Sequence, residues 1–144
     1  MEYYSSNQIG RTFILKLVQG DYIKESIEEL AQREHIENAY IVTGIATLDR
    51  SRLHMISTTD YPMDVSVIGM MDTPLEVISM DGLIIDGMVH LHMCVSDREC
   101  AYGGHVLERC RVLYLGEVVI QELLGLDIER KEIQPGIFHI TAQK

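Results

Sequence analysis

Apolar residues recur along this chain with two periods, and the switch between them marks its elements. Over residues 11–19 the alternation sets Phe13, Leu15 and Leu17 against Thr12, Ile14, Lys16 and Val18, which predicts a strand buried on at least one side. Gly20-Asp21 ends it. Ile23, Ile27, Leu30 and Ala31 then fall at helical spacing opposite Lys24, Glu25, Glu28, Glu29, Gln32 and Arg33, predicting an amphipathic helix with Asp21 as its cap. Residues 39–46 are β-branched and nearly all apolar, as in a strand covered on both faces, with Gly44 at a bulge or close approach. From there the pattern is strand upon strand, over 52–57, 65–68, 75–85, 88–96 and 112–123. The expected fold class is α+β in a single domain over residues 1–144, a β-α-β start followed by antiparallel strands.

Asp86-Gly87 is a tight-turn signal, so residues 75–85 and 88–96 should pair as a hairpin. The ladder then sets Leu83 opposite His90 and Asp81 opposite His92. That puts the Asp81 carboxylate on the histidine face, where it would orient an imidazole from behind; a simple bulge or bend at Asp81-Gly82 is the alternative. Along the second strand His90, His92 and Cys94 point one way, and Val89, Leu91, Met93 and Val95 the other. Residues two apart on a strand are roughly 6.5–7 Å apart at Cα. Two imidazoles can close that gap onto one ion at about 2.0–2.1 Å per nitrogen.

A third ligand must come from elsewhere. Gly103-Gly104 lets the chain take positive φ or pass close to another backbone, and so could bring His105 back over the same face. His90, His92 and His105 are thus candidate ligands for Zn2+ or another divalent transition metal, with a position left open. Strand histidines that only hydrogen-bond to their neighbours are the alternative. His35, His54 and His139 fall outside the set. Cys94 and Cys100 lack the short spacing of a zinc knot and read as incidental, and the eight methionines read as core filler.

Composition narrows the function classes. The chain is 47% hydrophobic and 24% charged, and no apolar run approaches the ~20 residues that span a bilayer, so a soluble protein is expected. Residues 1–7 lack the basic and apolar regions of a secretory signal, and three cysteines suggest no disulfide framework; reduced thiols in the cytoplasm are expected. Twenty-two acidic residues against twelve basic give a net charge of −10, which repels phosphate backbones. The densest basic stretches, Arg50-Ser51-Arg52 and Glu129-Arg130-Lys131-Glu132, are short and read as solvated faces.

The order of motifs, Gly20-Asp21, residues 41–46, residues 75–82, His90-Leu91-His92, Gly103-Gly104-His105 and residues 116–120, resembles the plants-and-prokaryotes-conserved (PPC) domain over residues 9–125. The resemblance implies a fold similar to that of alpha-acetolactate decarboxylase, where a comparable His-x-His and a later His hold the metal. It also implies a homotrimer. Plant members carry the domain after an AT-hook and generally lack the histidine set, which implies an alternative function as a DNA-binding or transcription-associated regulatory module. This sequence contains no Arg-Gly-Arg-Pro element, and DNA is not an expected partner. The expected function is a metal-binding domain, zinc being the first choice. It would bind or transform a small anionic molecule in a pocket roofed by Tyr102, Gly103 and Gly104, with Glu76 or Glu117 as the candidate acid or base.

Overall fold

The structure, a computed structural model, describes residues 1–143. β1 (Gln8–Val18) carries the first alternation and starts three residues before the pattern does. α1 (Ile23–Arg33) buries Ile23, Ile27, Leu30 and Ala31, the stripe that the helical period marks. Glu25 in its first turn and Arg33 in its last turn both favour the helix dipole. Asp21 does not cap it. The N-cap is Tyr22, without a side-chain hydrogen bond, and Asp21 Oδ2 instead accepts the Val18 N–H at 2.8 Å, closing the turn that leaves β1.

Seven more strands follow: β2 (Ala39–Ile56), β3 (Val65–Ile85), β4 (Met88–Ser96), β5 (Ala101–Val106), β6 (Arg111–Leu124), β7 (Ile128–Gln134) and β8 (Ile137–Ala142). The main sheet runs β1-β6-β2-β3-β4-β5, β7 and β8 form a separate hairpin, and all these pairings are antiparallel. The fold is therefore mostly antiparallel sheet with one described helix, richer in strand than the α+β class implies. Its β-α-β start is split, because β6 lies between β1 and β2. β2 and β3 each join two segments that the sequence pattern separates. Residues 49–51 stay within β2 because Asp49 pairs with Arg111 of β6 at 2.7 Å and Ser51 is buried. No helix among the described residues is long and apolar enough to cross a membrane.

Near its end β2 changes partners. It pairs with β6 as far as Arg50↔Arg111, then with β5 at Leu53↔Val106 and His54↔His105. That switch closes β2, β3, β4 and β5 into a ring. The β3–β4 register is the one the Asp86-Gly87 turn predicts, with Leu83 opposite His90 and Asp81 opposite His92; the ladder's irregularity lies at Val77/Ser79, not at Asp81-Gly82. Burial locks this register. Leu91, Met93 and Val95 are all nearly inaccessible, and each contributes about 1.5–3 kcal/mol relative to exposure. A one-residue slip would expose all three and bury His90 and His92, a loss of roughly 5–9 kcal/mol, comparable to the net stability of a whole domain.

Candidate metal centre

Three strands of the ring bring histidines to one face. His105 of β5 pairs with His92 of β4 on one side and with His54 of β2 on the other, and His90 lies two residues before His92. Of the two uses the sequence leaves open for Gly103-Gly104, the structure shows close approach: both are strand residues inside β5, and neither has a positive φ. A Cβ on Gly104 would lie 2.6 Å from the His54 carbonyl oxygen, so only a residue without a side chain lets β5 close onto β2. Gly82 has the same role on β3, where a Cβ would collide with the His90 carbonyl oxygen.

The resulting cluster is tight. His54 and His105 stack with ring centroids 4.4 Å apart, and His90 and His105 meet edge to face at 4.7 Å. One nitrogen from each of His90, His92 and His105 lies within 4.8 Å of the other two, and the His90 and His92 Nε2 atoms are 3.2 Å apart. Two tetrahedral ligands at about 2.0–2.1 Å from zinc have nitrogens about 3.3 Å apart, so this pair already has the required bite. Burial, reinforced by His90, His54 and His92, pushes the His105 imidazole down to about 4. Burial also lowers His90, with Arg130, His92 and His54 adding to it. Neutral imidazole is the form that binds metal. The donor set, its spacing and its electrostatics fit a divalent transition metal.

Two cavities meet at the cluster. One, of about 970 Å³, is lined by His54, His90, His92, His105, Gly103 and Gly104, with Met63, Met88 and Phe138 among its apolar walls. The other, of about 860 Å³, reaches Glu2, Asp81 and His139, and His90, His92, Arg130 and Phe138 line both. Tyr102 is not part of either lining; on β5 it faces the other way and packs against the core. Glu76 and Glu117 are exposed on β3 and β6, and neither lines a cavity. Asp81 borders the second cavity on the histidine face, yet no hydrogen bond joins it to an imidazole among the described residues. Cys94 sits opposite Gly103, outside the three-histidine group.

Two site residues escape the sequence reading. His54 reaches the cluster through the β2–β5 closure, which no local pattern announces. Arg130 belongs to a stretch that reads as a solvated face, but β7 alternates, so it points inward with Ile128 while Lys131 points out. The signal was available: Ile128 and Arg130 alternate against Phe138 and Ile140 around Pro135-Gly136.

The family model described as the Plants and Prokaryotes Conserved (PCC) domain matches residues 4–124. A plant- and prokaryote-conserved (PPC) protein of Pyrococcus horikoshii superposes with a TM-score of 0.82 at 27% identity, over 100% of this chain and 99% of that one. The metal-containing protein AF0104 of Archaeoglobus fulgidus gives 0.79 at 23% identity, over 96% and 98%. A proposed DNA-binding protein of Bacteroides thetaiotaomicron gives 0.75 at 20% identity, over 98% and 99%. Among curated proteins, the bifunctional protein GlmU of a Synechococcus strain is 24% identical over 123 residues, which is 84% of this chain and 18% of that protein. The chain thus spans less than a fifth of the length of the curated relatives it matches.

Proposed function

The chain belongs to the Plants and Prokaryotes Conserved domain family, and from that premise we propose that it binds one divalent transition-metal ion, zinc first, and holds a small molecule beside it. His90, His92 and His105 are the ligands. The observation that carries this reading is the convergence of three imidazole donors within 4.8 Å at the wall of a cavity. The same-fold protein of Archaeoglobus fulgidus, described as metal-containing, supports it. A metal held by three neutral histidines supplies a Lewis acid at its open position, polarising a ligand oxygen or a bound water.

This chain's own residues govern access and orientation. His54 stacks on His105 and holds its ring, while Gly103 and Gly104 keep that wall low. Asp81 is near enough in register to His92 to orient it through a water, and Tyr102 supports β5 from the core side. Glu76 and Glu117 lie outside both cavities of the single chain. Exposed Ile14 and Val18 of β1, Ile45 of β2 and Leu115 of β6 share the sheet face away from the core, which suits burial in a homotrimer. Three free cysteines suit a reducing, cytoplasmic setting. The DNA-binding description of the Bacteroides protein is not carried over, since a net charge of −10 opposes the counterion release that drives such binding.

Cobalt(II) substitution tests the open position. The cobalt-loaded protein should show the visible bands of a four- or five-coordinate ion, and these should shift when azide is added. Bands of a six-coordinate aqua ion, indifferent to azide and to His105→Ala, would refute the site.

A further inference from the structure

The β7–β8 hairpin pairs Arg130 with Ile140 and Glu132 with Phe138, which places all four on one side; the Glu132 carboxylate accepts the Gly136 N–H at 2.8 Å at the turn and makes no ion pair with Arg130. That side faces the cavities, and Arg130 and Phe138 line both of them. Arg11 and Arg111 are forked onto carboxylates, at 2.9 and 2.7 Å, whereas Arg50 and Arg130 have no ion pair among the described residues and each has an Nε shielded from solvent without a partner; of these two, Arg130 is the one that lines the histidine cavities. Glu2 and Asp81 border the outer cavity, and neither pairs with it. Half-buried and without a counter-charge, the Arg130 guanidinium keeps its planar fork of donors free at the cavity wall, where an oxyanion matches it.

The rest of the lining says which oxyanion. Among the described residues no lysine and no second arginine lines either cavity, so the side chains offer one planar fork of donors, which a single carboxylate matches with two parallel hydrogen bonds. The inner cavity that Arg130 lines has apolar walls of Met55, Ile56, Met63, Met88 and Phe138. We propose that Arg130 is the recognition residue for the carboxylate of a small organic acid, whose apolar body lies against Met63, Met88 and Phe138 and whose other end faces the histidines. This rests on the reading of the histidine-walled cavity as a ligand site.

Hexanoate and its neutral counterpart hexanamide are the probes, titrated by calorimetry into chelator-treated and zinc-reloaded protein, with zinc counted in every sample. On metal-free protein, hexanoate should bind at least tenfold more tightly than hexanamide, since hydrogen bonds between two charged groups are markedly stronger than those to a neutral amide. Arg130→Gln should remove that preference, and Arg130→Lys should keep part of it. Equal binding of the two probes by the unaltered protein overturns the assignment even if Arg130→Gln fails to fold. Undiminished hexanoate preference in folded Arg130→Gln overturns it too. Zinc counts separate the two ideas: a zinc-free protein with an Arg130-dependent preference refutes the metal reading alone, and a zinc-loaded protein without the preference refutes the role of Arg130 alone.

Discussion

Replacing Gly104 by alanine asks whether His105 is placed by the close approach of two strands. The new Cβ would lie 2.6 Å from the His54 carbonyl oxygen and 3.2 Å from its carbon, where 3.4 Å is ordinary contact. Neither atom is the free end of a side chain, so β5 must draw back from β2 by about 0.8 Å, at an overpacking cost of about 1–3 kcal/mol. The lower freedom of alanine in the unfolded chain offsets about 0.4–1 kcal/mol of that. At about 3–4 °C per kcal/mol for a chain of this size, metal-free Gly104→Ala should melt lower by up to about 10 °C at fixed protein concentration. Metal sites tolerate ligand displacements of only about 0.2 Å, so a shift of this size in the His105 strand should weaken zinc by about 10–100-fold. Gly103→Ala is the control, because its Cβ would meet only the Met93 carbonyl oxygen, at 3.8 Å. It should stay within about 0.5 kcal/mol of the unaltered protein. Thermal melts and competition with a chromophoric chelator measure both. A Gly104→Ala protein with unaltered melting and zinc affinity, or a Gly103→Ala protein damaged as badly, would refute the reasoning.

Other outcomes follow from the same structure. Unfolded imidazoles take up protons near ~6.5, whereas His105 resists until about 4 and His90 is lowered as well, so metal-free stability should be flat above ~6.5 and fall as pH drops towards 4; a denaturation midpoint that rises on acidification would contradict this. Light scattering should return about three times the 16.4 kDa chain mass, and Ile14→Glu with Leu115→Glu should lower it; a stable monomer of the unaltered chain at micromolar concentration rejects the trimer. Duplex DNA should not be retained at physiological salt, and a gel shift at submicromolar affinity would overturn the charge argument.

What could be read in advance was local. Asp86-Gly87 needs φ values of +52° and +70°, which only such a pair adopts readily, and that turn carried the whole β3–β4 ladder with it. The alternation of His90 and His92 against Leu91, Met93 and Val95 was equally plain, because burial of one face enforces it. What escaped was non-local. Gly103-Gly104 leaves positive φ and close approach both open because glycines carry no alternating signal, and the need for glycine at 104 is set by the His54 carbonyl about fifty residues away in sequence. His54 joins the cluster through only two residue pairs of β2 and β5, and charges on both sides of Arg130 hid a period of two. Asp21 was misread for a simpler reason: an aspartate beside a helix start can close the preceding turn as readily as cap the helix.

Metal content of the purified protein, by mass spectrometry of the elements, is the most direct measurement. One zinc or other divalent transition-metal ion per chain is expected, lost sharply from each of His90→Ala, His92→Ala and His105→Ala while the fold persists. His35→Ala, His54→Ala and His139→Ala should keep it, His54→Ala with somewhat weaker affinity because it loses the 4.4 Å stack on His105. A folded protein lacking all three ligand histidines that still carries one ion per chain, or complete loss of metal from His54→Ala or His139→Ala, would contradict the assignment.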